Sequence, residues 1–300
     1  MGHSHRHEPE ALARGPSDRR MLAVLGLSAT YMIAEAVGGL LSNSLALLAD
    51  AGHMLSDVAA LGLTLFAGWI ARRPASPRRT YGYYRAEILS ALFNGALLVA
   101  IAILLVVEAV HRFRTPSSVQ GGVMLWIACG GLAVNLASLW ILNADKSKSL
   151  GARGAWLHVL SDALGSVGAI VAGVLVAWRG WNWADPAVSV LISCLIAWSA
   201  CALVLQSMNV LMEGAPQGID VDEVRDALMA VPGVCAVHDL HVWSITSGLE
   251  ALSAHVIPLE EVAHDELLLK LQDTLAHRFG IGHVTIQIEH AACADVKHSV

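Results

Sequence analysis

Three hundred residues, of which 55% are hydrophobic and only 15% charged, do not read as a soluble enzyme, where roughly 25% charged is usual. The formal net charge of −6 excludes little because the charges are unevenly placed, and nothing in the chain points to nucleic acid. The apolar residues gather instead into runs near the ~20 residues needed to cross a bilayer. Residues 1–20 form a polar tail with His3, His5 and His7. Six apolar spans follow, at about 21–41, 45–71, 86–110, 121–142, 155–178 and 186–208. The loop after the second span is basic, with Arg72, Arg73, Arg78, Arg79 and Arg85, and the loop after the fourth carries Lys146, Lys148 and Arg153. The tail and these two loops hold about a dozen Lys and Arg, and the other short loops only Arg112, Arg114 and Arg179, so the positive-inside rule puts both termini in the cytoplasm of a multi-pass cell-membrane protein.

After Gln206 the composition becomes mixed, and residues 209–300 read as a separate small domain. Val221, Val224, Leu228 and Met229 fit a helical stripe that Pro232-Gly233 ends. Strand-like runs at 237–245 and 251–257 follow, with Thr246, Ser247 and Gly248 as their turn. A helix over 264–279 buries Leu267, Leu268, Leu271 and Leu275. A last strand, 283–289, alternates Val284, Ile286 and Ile288 with His283, Thr285, Gln287 and Glu289. The order αββαβ predicts helices packed on one sheet. Cys129, Cys194 and Cys201 fall in apolar runs and Cys235 and Cys293 in this last part, which is not a disulfide framework.

The chemistry lies in the spans. His53 and Asp57, and again His158 and Asp162, stand four residues apart, on one helix face in each case. Ionisable residues at bilayer depth are costly and read as functional by default. A lone intramembrane His is more often a packing residue, but two copies of one pair, with no Lys or Arg inside either span, favour metal binding. Two His and two Asp close a four-coordinate site that suits Zn²⁺. The carboxylates offset the divalent charge in low dielectric, and the imidazoles bias against Mg²⁺ and Ca²⁺. Both ligand types bind metal only when deprotonated, so metal and protons compete, as an antiporter requires. Asp50 stands at helical spacing from His53 without an assigned role. Glu35, Asn94, Glu108 and Asn135 read as buried polar positions that line a water path or bond between helices.

These residues resemble the cation diffusion facilitator family over nearly the whole chain. Ser44 to Asp57 looks like the family signature, and Tyr81-Gly82-Tyr83-Tyr84-Arg85-Ala86-Glu87 like its continuation into the third span. His158-Val159-Leu160-Ser161-Asp162 looks like the partner motif, and His238-Asp239-Leu240-His241-Val242-Trp243 and residues 283–289 resemble the family's cytoplasmic domain. The resemblance implies a homodimer in the bilayer: a polytopic six-helix transport domain (21–208) with an α+β ferredoxin-like cytoplasmic domain (209–300) that dimerises and senses metal. It implies export of Zn²⁺ in exchange for H⁺, with His53, Asp57, His158 and Asp162 as transport ligands. It carries regulatory ligands over to His238, His255 and Glu289, with His283 close to a further ligand position. His283 and Glu289 share a strand face, His290 and Cys293 follow closely, and His241 falls on the face opposite His238 if the strand is regular. The charged pair that locks the dimer in other members matches Arg85 and Glu213, although the simpler reading makes Arg85 a topology charge and Glu213 a surface carboxylate. The loop from Arg72 to Arg85 lacks His, Asp, Glu and Cys, so the metal site some members hold there is missing.

Three competing readings fit less well. A passive channel needs a continuous polar pore, and the spans show isolated polar positions. An intramembrane metallohydrolase needs an open water position and a general base. A membrane-anchored sensor does not explain ligands at mid-membrane.

Overall fold

The computed structural model describes residues 16–71, 73, 76–143, 150–259 and 262–289; the side chains at 16–22, 60, 61, 63–68, 71, 150–155 and 158 lie outside the description. So do His3, His5, His7, His290 and Cys293. The chain divides into two units, Met1–Leu61 with Ala96–Ala200 and Gly62–Gly95 with Cys201–Val300. Six long helices fall where the apolar runs predicted them: α1 (Pro16–Ser42), α2 (Leu45–Ala71), α3 (Arg85–Arg114), α4 (Gly121–Asn143), α5 (Leu150–Arg179) and α6 (Ala184–Leu211). Most overrun the apolar run, because the backbone hydrogen-bond ladder continues through the polar residues at its ends. The shortest has 23 residues, about 35 Å at ~1.5 Å per residue, which exceeds the ~30 Å hydrocarbon core. Among the described residues, five of the six, all but α2, are long and apolar enough to cross a membrane.

Small residues let these helices close on one another, since in lipid close packing replaces the hydrophobic drive. Ala46 and Leu47 of α2 pack with Met124 and Ala128 of α4 and Ala169 and Ala172 of α5. Ala49 of α2 packs with Leu98 and Ala102 of α3 and Ile192 and Ile196 of α6. A Cβ at Gly121 would lie 2.7 Å from the backbone nitrogen of Ala177, so only glycine allows that approach of α4 to α5. Glu108 departs from expectation. Its carboxylate lies on the exposed side of α3, 3.0 Å from Arg112 one turn on, so it is a helix-surface ion pair.

The C-terminal part has the expected order: α7 (Val221–Met229), β1 (Val234–Thr246), β2 (Leu249–Pro258), α8 (His264–Phe279) and β3 (His283–Ile288). Asp220 caps α7 by accepting from Asp222 N–H at 2.9 Å. β1 and β2 form an antiparallel hairpin closed by Ser247-Gly248, with Gly248 at a positive φ of 73° that a tight hairpin turn demands. The α8 crossover makes β3 parallel to β2, in the order β1-β2-β3. Val224, Leu228, Leu252, Leu267, Leu271 and Leu275 fill the core between helices and sheet. Cys129, Cys194 and Cys201 are free, whereas Cys235 is disulfide-bonded, one bridge where the sequence predicted no framework. Arg85 and Glu213 do pair, at 2.8 Å.

What fixes α2 is a buried carboxylate from another helix. Ser44 is the N-cap of α2, its Oγ accepting from Leu47 N–H at 3.3 Å. Asp185, in the first turn of α6 and 0% exposed, then accepts from Ser44 Oγ at 2.5 Å and from the N–H groups of Leu45 and Ala46 at 2.9 and 3.2 Å. The carboxylate thus meets the positive end of the α2 dipole. Arg112 of α3 stands 3.9 Å from Asp185 and donates to both Asn43 oxygens, at 2.6 and 2.9 Å. Asp185→Ala should lower stability by about 3–5 kcal/mol, the cost of breaking a buried charged network from one side, with Asp185→Asn in between. Thermal unfolding in detergent micelles measures both; an unchanged Tm would mean the network does nothing to hold α2.

Candidate metal centres

On α2 the spacing works as the sequence indicated. His53 Nε2 lies 3.8 Å from Asp57 Oδ2 one turn on. It also lies 3.4 Å from Asp162 Oδ1 on α5, so one imidazole stands between carboxylates of two helices. Asp162 is only 9% exposed. His158 lies on α5 one turn before Asp162; its side chain is outside the described residues. Asp50 is buried one turn before His53. Its Oδ1 sits 3.6 Å from where a Cβ at Gly165 of α5 would be, so it too faces α5.

Around this group the lining is polar. Glu35 of α1 is 1% exposed, and its Oε1 lies 2.8 Å from the position of a Cβ at Gly131 of α4. Ser166 Oγ lies 3.3 Å from that same point and accepts from Asn135 Nδ2 at 3.2 Å. Glycine at 131 therefore makes room for the Glu35 carboxylate between α1, α4 and α5. Tyr31, one turn before Glu35, donates its hydroxyl to the Ile127 carbonyl. No Lys or Arg occurs between Arg20 and Arg72 or between Arg153 and Arg179.

A second cluster lies in the C-terminal sheet. His238 of β1 and His255 of β2 are cross-strand partners, their rings edge-on at 5.3 Å. Glu289 follows β3, where its N–H bonds the Val256 carbonyl at 2.9 Å. Its Oε2 lies 3.0 Å from His238 Nε2 and its Oε1 3.0 Å from His255 Nδ1. The three ligand atoms all lie within 4.8 Å of one another, and two nitrogens with one carboxylate fit a Zn²⁺-type donor set.

Two expectations need correction here. His283 and Glu289 do share a face, but six residues of strand separate them by roughly 20 Å. His283 pairs with Ala251 at the other end of β3 and meets the Tyr81 ring edge-on at 5.6 Å, so one chain does not bring it into the cluster. His241 is not opposite His238. His238 pairs with His255 and His241 with Ser253, so β1 spends one extra residue and both histidines fall on one face. Asp239 occupies that bulge with a positive φ of 50°. Its carboxylate lies 3.0 Å from His241 Nε2 and 3.7 Å from His255 Nε2. Asp239 is the site neighbour that sequence reasoning missed; the only signal was the run of polar residues in an otherwise alternating strand. His277 is an exposed partner of Asp273 at 3.1 Å.

Comparison with known proteins identifies the family of the chain. Residues 21–212 match the cation efflux transmembrane domain, and residues 216–291 match the cytoplasmic domain of cation efflux proteins. The chain is 45% identical to the zinc transporter ZitB of Escherichia coli over 296 residues, covering 98% of this chain and 94% of that one. It is 45% identical over 298 residues to the cadmium, cobalt and zinc/H(+)-K(+) antiporter of Bacillus velezensis, covering 97% and 93%. It is 44% identical over 293 residues to the metal cation efflux system protein CzcD of Cupriavidus metallidurans, covering 97% and 91%. The solved metal-bound C-terminal domain of that CzcD transporter is 42% identical, covering 24% of this chain and 100% of that one, with a TM-score of 0.23. With two family domains matched in order and relatives aligned almost end to end, the chain belongs to the cation efflux, or cation diffusion facilitator, family.

Proposed function

We propose that this protein is a Zn²⁺/H⁺ antiporter that moves zinc out of the cytoplasm by alternating access. The observation that carries the reading is His53, on α2, within 3.8 Å of Asp57 and 3.4 Å of Asp162 of α5. With His158, four residues before Asp162 in sequence, the donor set would be two nitrogens and two carboxylates. All six helices α1–α6 cross the bilayer, α2 included, and the basic loops after α2 and α4 hold both termini in the cytoplasm. Residues 1–20 are a tail, 21–208 the transport domain, and 209–300 a ferredoxin-like domain that pairs two copies into a homodimer. Zinc held by His238, His255 and Glu289 regulates transport from that domain.

The ion is cargo, so its binding must be reversible. Its double charge neutralises two carboxylates, and two protons neutralise them equally well. Either load leaves the site near neutral, and the deprotonated empty site is the costly state at bilayer depth. Exchange of metal for protons, rather than free passage, follows from that balance. The decisive experiment is zinc uptake into proteoliposomes holding the full-length protein. A proton gradient should drive uptake and its collapse should stop it; uptake indifferent to the gradient would indicate a passive pore.

Asp162→Ala should bring uptake to background while the protein still folds and dimerises, because one vacant ligand position leaves the divalent charge uncompensated. Near wild-type flux in this variant would displace the assigned site. His53→Asp replaces nitrogen by oxygen and should shift competition between metals from Zn²⁺ towards harder or larger ions such as Mn²⁺ or Cd²⁺. Zinc binding should also release protons, because both ligand types bind metal only when deprotonated. Calorimetry in buffers of different ionisation enthalpy counts those protons, and a count of zero would argue against exchange.

A further inference from the structure

The segment 81–87 carries no donor to either metal cluster, yet it is where the C-terminal sheet is seated. Thr246, the last residue of β1, donates its hydroxyl to Glu87 Oε2 at 2.9 Å. Glu87 lies in the first turn of α3, and Thr246 is buried. His283, the first residue of β3, meets the Tyr81 ring at 5.6 Å. Gly82, at a positive φ of 66°, turns the chain between Tyr81 and α3, and the Arg79 guanidinium lies 4.4 Å over the Tyr83 ring.

The register of the sheet explains why these contacts coincide. Trp243 pairs with Ala251 and Ala251 with His283, so Thr246 and His283 belong to one end of the sheet. His238 pairs with His255 and His255 with Gln287, so the metal cluster belongs to the other end. The span from His238 to Thr246 is roughly 25 Å of strand at ~3.3 Å per residue. A metal held by His238, His255 and Glu289 would tie β1, β2 and the end of β3 together at one end. Any change in how the strands lie there is delivered at the other end to Glu87 and Tyr81.

We infer that Glu87 and Thr246 are positioning residues that couple metal binding at the His238–His255–Glu289 cluster to α3, with Tyr81 and His283 as a second contact of the same junction. The inference rests on the regulatory role proposed for that cluster. The coupling requires only that metal bind the two arrangements of the sheet with different affinity. It gives His283 a function without making it a ligand. The Thr246 bond is local, so losing it should uncouple the sheet without touching either metal centre.

The test is zinc transport by the full-length protein in proteoliposomes, with initial rate measured against zinc concentration. His255→Ala is the reference, and it should raise the zinc concentration for half-maximal rate. Thr246→Val keeps the shape and removes the hydroxyl. With Glu87→Ala it should raise that concentration about three- to tenfold, the effect of one hydrogen bond, at unchanged maximal rate. Thr246→Ser keeps a donor and Glu87→Gln keeps an acceptor, so both should behave as wild type; a purely packing role would instead leave the shape-keeping Thr246→Val unchanged. Zinc should also slow amide hydrogen exchange over 81–87 in the wild type and not in Thr246→Val or His255→Ala. If His255→Ala shifts the curve and neither Thr246→Val nor Glu87→Ala does, the junction is not the coupling. If His255→Ala leaves the curve unchanged, the regulatory reading of the cluster falls, and the junction's role with it.

Discussion

Charge held where water is scarce is the constraint from which the helical part of this chain follows. Glu35, Asp50 and Asp162 are buried in helices that bring no Lys or Arg near them in sequence. An ionised carboxylate in such surroundings costs several kcal/mol unless a cation or proton meets it. The helices are therefore arranged around that need. His53 stands between Asp57 and Asp162, Gly131 leaves room for Glu35, and Gly165 faces Asp50. A divalent cation and a pair of protons are the two loads that relieve the cost, which is why the proposed exchange needs no separate gate for charge.

A site of this kind works only if its ligands sit on elements that keep their register. α2 carries both His53 and Asp57 and is anchored at its start. Ser44 caps it from within and Asp185 from α6, with Arg112 balancing the carboxylate. A shift of α2 along its axis by one residue, ~1.5 Å, would break these bonds and turn His53 by about 100° away from Asp162. Small side chains then let α3, α4, α5 and α6 close on α2 without bulky residues that would force other spacings. Anchoring and close packing together set the His53–Asp162 distance, and neither is a property of the ligands themselves.

Much of this was legible in the sequence because it is periodic. Apolar runs marked the six long helices, and the switch to alternating residues marked the strands of the C-terminal part. His-x-x-x-Asp gave the ligand faces, since i, i+4 neighbours meet on any helix. The meeting of His53 with Asp162 is tertiary and no local spacing encodes it. Asp185 carries no local signal of its role, because its partners lie about 140 residues away. Glu108 was read as buried because it sits in an apolar run, yet its own neighbour Arg112 holds it at the surface. Strand faces were assigned on a strict period of two, and a single bulge at Asp239 reversed the conclusion for His241. His283 shows the converse error. A shared face was taken for proximity, when at ~3.3 Å per residue six residues carry a side chain far from its neighbour.

The bulge has a consequence for the cluster beside it. A regular strand would turn Asp239 to the face opposite His238 and leave His255 with a carboxylate on one side only. With the bulge, His255 presents Nδ1 to Glu289 at 3.0 Å and Nε2 to Asp239 at 3.7 Å. The two nitrogens of one imidazole therefore face carboxylates from two different strands. The strained φ of Asp239 is the kind of local cost that persists where the surroundings require a particular side-chain direction. One of the three register shifts of β1 thus lies beside the His238–His255–Glu289 cluster and turns Asp239 towards it.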